Sequence, residues 1–557
     1  MPLCTRTKLA LAGRRGQRLS PRQKHLLCIH TTHSRTYTAT QSPMAPSSTN
    51  RGRRRVVLLP LPYQGHINPM LRLAAALYSR GLAITILHPE TRAPDRRKLP
   101  ADYRLVTIPD NIPPELAASE DIASFVFALN KNCAAPFRDY LAGALRAEEE
   151  GEDGRVAFVV ADVDWFAPLS VARELGVAAL ALMTSSAARF LVYQAYPSLC
   201  RKGYLPVQES NFNTAVEELP PFLVRDLDRV MDMAQHLAYA DLLAHIVAGV
   251  RQSSGLIINT SEDMEGREIE RIRSEITLPV IAVGPLHMMT ASSSVGSSLL
   301  TEDRSCLDWL DTQQPNSVIY VSFGSLVGID TDEFLEMAWG LADSQRPFVW
   351  VVRPGLVHGC EFSTLPEELQ KNIGSRGRVV SWAPQQEVLK HPSVVAFLTH
   401  CGWNSTTEGI SEGAPMICRP LSSDQMGTSR YVCDVWKVGV RLEVENQLKR
   451  GDVQAAITRL MEGKEGEEVR ERMKDLRHAV GKCTDEASMM SSTYLTVDSM
   501  ESFNDVEASL GDIKEKVVIR ITGCNPPSDA QQLMHAATIC RAKNRGSSVK
   551  IKGFEVL

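Results

Sequence analysis

The chain has 557 residues, of which 44% are hydrophobic, with 61 Lys and Arg against 65 Asp and Glu. Such a composition is typical of a folded globular protein, and the length exceeds the roughly 250–300 residues at which a single core stops growing, so we expect at least two domains. The formal net charge of −4 gives no basic footprint, and no apolar run approaches the ~20 residues that cross a bilayer, so we expect no nucleic-acid partner and no transmembrane segment.

The first 50 residues differ in composition from the rest. They are rich in Arg, Ser and Thr, and the first acidic residue of the chain is Glu90. Residues 1–50 are therefore predicted to be a disordered leader, either a transit peptide or a non-native extension ahead of a start at Met44. The cysteines include no C-x-x-C pair and are expected to be reduced, intracellular thiols. The predicted location is cytoplasmic, or plastidial if residues 1–43 are a transit peptide.

Beyond the leader, short apolar strands alternate with amphipathic helical stretches, which is the pattern of βαβ units and a parallel sheet. The pattern occurs twice, over 51–287 and 301–484, with a Ser- and Gly-rich linker at 288–300. The predicted fold class is α/β, with two Rossmann-like doubly wound domains facing a cleft. A C-terminal helix over 485–505 and a tail over 506–557, without an assigned role, complete the prediction. The predicted strands are Val56–Leu59, Ala83–Leu87, Leu105–Ile108, Val156–Val160, Ala179–Met183, Leu256–Ile258, Val280–Val283, Ser317–Ser322, Phe348–Val352, Val379–Val380, Val395–Leu398 and Pro415–Cys418.

A histidine follows the first strand. His66 comes after a turn at Gly65, and Pro69 suits the opening turn of the helix that continues beyond it. Ligands of open parallel sheets bind at the carboxyl ends of the strands, so His66 is expected to project into the cleft. An imidazole there is a natural general base at neutral pH, although a histidine that only bonds its own turn fits the same pattern.

Two carboxylates follow the strand Val156–Val160 on the same sheet edge. Asp162 is placed to accept a hydrogen bond from the far ring nitrogen of His66 and to stabilise the imidazolium. The spacing Asp162-x-Asp164 also fits a metal site that holds a divalent cation on a nucleotide diphosphate. The same spacing recurs at Asp226-x-Asp228 and Asp330-x-Asp332, which makes it weak evidence by itself.

A third group, from Trp382 to Gln425, is far more specific. It places a strand end at His400 and Gly402 directly before a helix that begins near Asn404, an arrangement that binds phosphate through backbone N–H groups. Lys390 and Arg419 are the positively charged residues of this segment, so amides, a histidine and hydroxyl groups must carry most of the phosphate binding.

This segment resembles the signature box of the plant secondary-product UDP-glycosyltransferases, and the likeness extends over roughly Val56 to Phe503. The resemblance implies the GT-B architecture, UDP-glucose as donor substrate, a small hydrophobic acceptor, and neither a cofactor nor a metal. His66 then becomes the general base and Asp162 its partner. The donor-binding residues that it implies are Ser325, Trp382, Ala383, Gln385, His400, Gly402, Trp403, Asn404, Ser405, Glu408, Asp424 and Gln425.

Within that implied site, Trp382 stacks on uracil, Ala383 and Gln385 lie near the base and ribose, and Glu408 holds the ribose hydroxyls. The strand-to-helix residues, with Ser325, meet the diphosphate, whereas Trp403, Asp424 and Gln425 contact the sugar. The expected reaction is inverting transfer of glucose to a hydroxyl of a small aromatic or heterocyclic plant metabolite. The segment from Met183 to Ser186 is similar to the grass hydroxamic-acid glucosyltransferase branch of the family.

One departure from the family pattern leaves alternatives open. The chain has Ser422-Ser423 where relatives usually carry an aromatic and then a small residue ahead of Asp424. A catalytically weak UDP-sugar-binding protein is therefore one alternative. A metal-dependent transferase that uses Asp162 and Asp164 is the other. A dinucleotide oxidoreductase is disfavoured, because no G-x-G-x-x-G follows a predicted strand.

Overall fold

The structure is a computed structural model that describes residues 53–119, 121–149, 154–229, 233–289, 300–357, 366–444 and 447–489, together with four short strands beyond them. Side chains are described up to residue 482, apart from residue 149. The predicted leader and most of the predicted linker, at 290–299, lie outside the described residues. In the described part of the chain, no helix combines the length and apolar character that crossing a membrane requires.

A seven-stranded parallel sheet forms the first lobe, in the order β3-β2-β1-β4-β5-β6-β7. Its five inner strands are rich in Val, Ile and Leu and are almost wholly buried, as expected where helices cover both faces of a sheet, whereas the two edge strands are partly exposed. The order reverses between β1 and β4, whose neighbouring residues include Leu58 and Val160. The strands are β1 Arg55–Leu59, β2 Ala83–Pro89, β3 Arg104–Ile108, β4 Val156–Asp162, β5 Ala179–Met183, β6 Gly255–Ile258 and β7 Val280–Ala282.

A six-stranded parallel sheet forms the second lobe, in the order β10-β9-β8-β11-β12-β13. Here the order reverses between β8 and β11, so each sheet is doubly wound about its own switch point. The strands are β8 Val318–Ser322, β9 Phe348–Val351, β10 Gly377–Val380, β11 Val394–Thr399, β12 Met416–Cys418 and β13 Gly439–Arg441. The predicted α/β class with two Rossmann-like domains is therefore confirmed.

Helices connect the strands in both lobes. The helices are α1 Gln64–Ser79, α2 Pro114–Ala118, α3 Ile122–Glu149, α4 Phe166–Glu174, α5 Ala187–Arg201, α6 Met233–Gln252, α7 Glu262–Glu275, α8 Ser305–Asp311, α9 Thr331–Asp343, α10 Glu367–Ile373, α11 Gln385–Lys390, α12 Trp403–Glu412, α13 Gln425–Arg430, α14 Arg450–Met461 and α15 Gly463–Met489.

The two lobes pack directly against each other. Tyr431 of the second lobe is buried in the apolar cluster of the first, and Met264 of the first lobe is buried in a cluster of the second. Tyr431 also donates to Glu268 at 2.7 Å, and the Trp436 indole donates to the carbonyl oxygen of Met264 at 3.1 Å. The cleft residues of the two sheets are therefore held at a defined separation.

Three local predictions differ from the structure. Helix α1 begins at Gln64, so Pro69 lies inside the helix rather than in its opening turn. The short strand β13 was not predicted, since it has three residues and is recognisable only by its pairing with β12. The helix predicted over 485–505 ends at Met489, and residues Thr496–Ser499 form strand β14, where β-branched Thr496 and Val497 favour extended backbone.

The predicted tail contains further strands. Strands β15 Ile513–Arg520, β16 His535–Ala542 and β17 Glu555–Val556 form an antiparallel sheet with β14.

Candidate active site

The predicted site residues gather at the switch points of the two sheets. His66 lies in the first turn of α1, after β1, and Asp162 ends β4. In the second lobe, Ser325 follows β8, and His400 follows β11. Ligands of doubly wound sheets bind at these points, outside the carboxyl ends of the strands. The two halves of the predicted site therefore occupy the binding edge of each sheet.

His66 and Asp162 form a direct pair. The Nδ1 atom of His66 lies 2.8 Å from Oδ2 of Asp162, whose side chain is fully buried. The hydroxyl of Thr184, just after β5, lies 3.1 Å from the same ring nitrogen, and Asp164 lies at 3.9 Å. The imidazole is 31% exposed. Since Nδ1 is occupied by the carboxylate, Nε2 is the ring nitrogen available to a substrate.

The surrounding charges raise the pKa of His66. Burial acts to lower this pKa, but the attraction and hydrogen bond of Asp162 outweigh it, with help from Asp164 and Asp424, and raise it to about 9. Burial and the neighbouring Asp162 raise the pKa of Asp164 to about 8. At neutral pH the cluster therefore retains a proton on Asp164, while Asp162 is the immediate counter-ion of the imidazole.

The strand-to-helix turn after β11 is shaped around His400. Helix α12 begins at Trp403 with Gly402 as its N-cap residue. A Cβ atom on Gly402 would lie 2.5 Å from Nε2 of His400, and one on Gly324 would lie 2.4 Å from it, so both positions require glycine. Gly324 also has a φ of +71°, which favours glycine.

His400 is a neutral group. Its Nδ1 atom is buried without a hydrogen-bond partner in the structure. Burial and the nearby Arg353 lower the pKa of His400 to about 4, against an opposing contribution from the backbone of Ser322. A buried polar atom without a partner is uncommon and is satisfied when a ligand brings one. An uncharged imidazole beside a helix N-terminus suits an oxygen-rich anionic ligand.

The residues predicted to hold the nucleoside form a connected polar group. Gln385, at the start of α11, donates to Ser405 at 3.0 Å and to Glu408 at 2.7 Å. Gln386 donates to the other Glu408 oxygen at 2.9 Å. Burial raises the pKa of Glu408. Trp382 and Ala383 lie just ahead of these residues, with Trp382 half-buried and Ala383 buried.

Asn404 joins the first turn of α12 to the turn that precedes His66. Its amide Nδ2 donates to the carbonyl oxygen of Gly65 at 2.7 Å, the residue directly before His66. Asn259, after β6, donates to the Oδ1 atom of Asn404 at 3.4 Å. These bonds cross from one lobe to the other. The first turn of α12 is thereby fixed next to the first turn of α1.

Asp424 and Gln425 also lie at the lobe boundary. Oδ2 of Asp424 accepts a hydrogen bond from the Ser185 hydroxyl at 2.7 Å. Gln425 is buried, and its Oε1 accepts from the backbone N–H groups of Leu421 and Ser422 at 2.9 and 3.1 Å. The side-chain oxygen of Gln425 therefore organises its own loop, and its amide nitrogen is the atom available to a sugar.

Trp403 lies at the boundary between the two lobes. Its side chain is buried, and its indole N–H donates to the carbonyl oxygen of Asn259 at 2.7 Å. The indole nitrogen therefore already has a partner in the other lobe, so a contact of Trp403 with a sugar would use its backbone N–H or its ring. The ring instead packs near Trp436, with ring centroids 6.3 Å apart, and contributes to the contact between the lobes.

Sequence reasoning missed several residues of the site, all from the first lobe. Thr184 and Ser185 follow β5, and Asn259 follows β6, so the rule that ligands bind at carboxyl ends of strands would have pointed to each. Arg189 lies further along, in the first turn of α5, and reaches the second lobe by a contact that no local pattern indicates.

Comparison with known proteins shows the family of this chain. The family model for UDP-glucoronosyl and UDP-glucosyl transferases matches residues 152–479. The DIMBOA UDP-glucosyltransferases BX8 and BX9 of Zea mays are each 52% identical over 442 residues, covering 78% and 79% of this chain and 95% and 94% of the relatives. These two relatives confirm the predicted similarity to the grass hydroxamic-acid branch.

Solved structures of plant enzymes share the fold. Phytolacca americana UGT2, complexed with UDP-2fluoro-glucose and pterostilbene, aligns with a TM-score of 0.66 at 28% identity, covering 79% of this chain and 98% of that one. Os79 from O. sativa, in complex with UDP, aligns with a TM-score of 0.65 at 27% identity, covering 78% and 99%.

Proposed function

The chain belongs to the family of UDP-glucoronosyl and UDP-glucosyl transferases and is a plant UDP-glucosyltransferase of small metabolites, and we propose that it transfers glucose with inversion, using His66 as general base. The observation that carries this proposal is the His66–Asp162 pair, 2.8 Å long, at the switch point of one sheet. The Asn404–Gly65 bond of 2.7 Å brings the strand-to-helix turn of the other sheet beside it.

In the proposed step, Nε2 of His66 removes the proton of an acceptor hydroxyl as its oxygen attacks the anomeric carbon. A new carbon–oxygen bond forms, the bond between that carbon and the diphosphate breaks, and UDP leaves from the opposite face. The proton stays on the imidazole, where Asp162 stabilises it. A single displacement of this kind converts the α-linked sugar of UDP-glucose into a β-glucoside.

The raised pKa of His66 supports this role. A pKa of about 9 means that the neutral imidazole, a minor form at pH 7, is a strong base and that the imidazolium formed by proton abstraction is stabilised. The buried carboxylate on Nδ1 also fixes the tautomer in which Nε2 carries the lone pair. Because the ring of His66 bonds to Asp162 on another strand, the alternative of a histidine that bonds only its own turn fits the structure less well.

The donor is proposed to lie along the second lobe. Trp382, Ala383, Gln385 and Glu408 would hold the uridine, while Ser325, His400, Gly402, Asn404 and Ser405 would bind the diphosphate, with Asp424 and Gln425 at the sugar. The helix start at α12 supplies backbone N–H groups to the developing charge of the leaving UDP. The UDP and UDP-2fluoro-glucose complexes of the structural relatives support such a donor.

The acceptor is proposed to be a small aromatic or heterocyclic hydroxyl compound. The two maize relatives are named for DIMBOA, and the Phytolacca structure holds pterostilbene. Near His66, the Tyr63 and Phe125 rings lie 5.6 Å apart edge to face, and the Arg92 guanidinium lies over Tyr63 at 4.9 Å. An aromatic surface beside the base is a suitable neighbour for a flat acceptor.

The test is an acceptor screen with UDP-glucose and mass detection, followed by proton NMR of the product's anomeric centre. The expected product is a β-glucoside of a phenolic or heterocyclic hydroxyl compound. An α-glucoside would contradict the single displacement. Transfer only to sugars or peptides would contradict the proposed acceptor class.

One observation favours a second candidate function, a metal-dependent transferase. The ligand atoms of His66, Asp162 and Asp164 all lie within 4.8 Å of one another, close enough to surround a cation. A cation there would be coordinated by the nitrogen and oxygen atoms proposed to handle the proton, so the two functions exclude each other. Activity lost in excess chelator and restored by Mn²⁺ would favour this candidate.

A further inference from the structure

The loop ahead of Asp424 is bonded to the opposite lobe. Ser423 is exposed and has a φ of +55°, a conformation that side chains seldom adopt without support. Its hydroxyl accepts a hydrogen bond from Nη2 of Arg189 at 3.2 Å. The next residue, Asp424, accepts from Ser185 at 2.7 Å. Two adjacent residues of the second lobe are thus bonded to one short segment of the first.

Arg189 itself is rigidly held. Nη1 donates to Asp228 at 2.5 Å and Nη2 to the Tyr239 hydroxyl at 2.5 Å, and that hydroxyl donates to Asp228 at 3.0 Å. The guanidinium lies over the Tyr193 ring at 4.9 Å. The Arg189 and Asp228 side chains are 6% and 5% exposed. Because the partners within the first lobe fix the guanidinium plane, its direction toward Ser423 is fixed as well.

The same guanidinium borders the space between the lobes. Arg189 and Asp424 both line an interlobe cavity, together with Ser186, Asp226 and Trp403. The charge of Arg189 is neutralised by Asp228, so the cavity gains little net positive charge from it. The arrangement therefore favours a role in placing Ser423 over a role in attracting an anion.

We propose that Arg189 is a positioning residue for the donor sugar. It holds Ser423 and with it the entry to α13, so that Asp424 and Gln425 face the sugar hydroxyls. The inference rests on the proposed function, in which these two residues contact glucose.

Ser423→Ala tests this directly, because the residue is exposed and its loss does not threaten folding. The KM for UDP-glucose is expected to rise about three- to tenfold, the range of one lost hydrogen bond, with kcat changed less than about twofold. The inhibition constant of UDP should stay constant, because the nucleotide contacts lie elsewhere. A merely structural loss would weaken UDP and UDP-glucose alike.

Ser344→Ala is the matched control. Its hydroxyl donates to the carbonyl oxygen of Leu341 at 2.7 Å at the end of α9, four residues ahead of the start of β9 and so at the opposite end of the strand from the carboxyl end that ligands approach. This substitution removes a serine hydrogen bond from the same lobe as Ser423, and it should leave kcat and the KM for UDP-glucose unchanged. A KM for Ser423→Ala equal to that of the control would overturn the inference.

Arg189→Gln in both backgrounds completes a double-mutant cycle. If the bond is the cause, Ser423→Ala adds no further rise in KM once Arg189 is replaced, whereas full additivity would contradict it. Should Arg189→Gln fail to fold because Asp228 is left buried and unpaired, the comparison of Ser423→Ala with its control decides alone. A wild-type enzyme that forms no β-glucoside refutes the proposed function instead, so the two failures are distinguishable.

Discussion

Replacing His66 with alanine is expected to abolish most transfer to poorly acidic alcohols while sparing acidic phenols. A positioned general base raises the rate by a factor of about 10²–10⁴. Because Nδ1 of His66 is bonded to Asp162, Nε2 is the ring nitrogen that can accept the proton. A phenol that is already ionised needs no base, so its rate should fall much less. The wild type and the alanine variant are therefore compared on one aliphatic alcohol and one acidic phenol.

The raised pKa of His66 gives this prediction a pH dependence. The imidazole acts as a base only when neutral, and with a pKa of about 9 roughly one molecule in a hundred is neutral at pH 7. For an aliphatic alcohol, kcat/KM of the wild type should rise about tenfold per pH unit and level off near pH 9. The advantage over His66→Ala should therefore grow by a factor of roughly 50 between pH 7 and pH 9.

The assay is initial-rate kinetics at saturating UDP-glucose over pH 6–10, with thermal unfolding of each variant as the control for folding. Equal activity of the wild type and His66→Ala on the alcohol would refute the role of His66. An unchanged ratio of their kcat/KM values across the pH range would refute the link between its protonation and the reaction.

Three further outcomes follow from the same geometry. Asp162→Asn should lower kcat by about 10²–10⁴, because an amide that donates to Nδ1 of His66 forces the proton onto Nε2. Asp164→Asn should lower kcat less than about tenfold, since the raised pKa of Asp164, about 8, leaves this side chain largely uncharged at pH 7. Steady-state rates of the two variants are compared, and equal losses would contradict the assignment. Gly402→Ala should raise the Kd of UDP at least about tenfold, because the new Cβ would lie 2.5 Å from Nε2 of His400. Calorimetry measures this Kd, and an unchanged affinity would contradict a place for His400 in the diphosphate site. Activity should be retained in excess chelator, and its loss with recovery on Mn²⁺ would favour the metal-dependent reaction.

The sequence predicts the strands and their class well, because apolar runs of both sheets are buried on both faces and are bounded by clear turns. Every predicted strand of the two lobes has a counterpart in the structure. The missed strand, Gly439–Arg441, contains one β-branched residue in three, so its own composition carries little signal. The early start of α1 was missed because a proline in the first turns of a helix is normally taken as the opening residue.

The sequence predicts the positions of His66 and Asp162 because both follow strands, but it does not predict how the lobes meet. The bonds from Ser185 to Asp424 and from Arg189 to Ser423 join residues more than 230 positions apart. The burial of Trp403 against Asn259 likewise depends on the packing of one lobe on the other. Such contacts follow from tertiary structure and not from local spacing.

A crystal structure of the enzyme with UDP-2-fluoro-glucose and an acceptor tests the central proposal most directly. We expect uracil on Trp382, the diphosphate at the start of α12, and the acceptor hydroxyl within hydrogen-bond distance of His66 Nε2. That hydroxyl should face the anomeric carbon, with no cation between the phosphates. A sugar bound away from His66, or a metal ion joining Asp162 and Asp164 to the diphosphate, would contradict it.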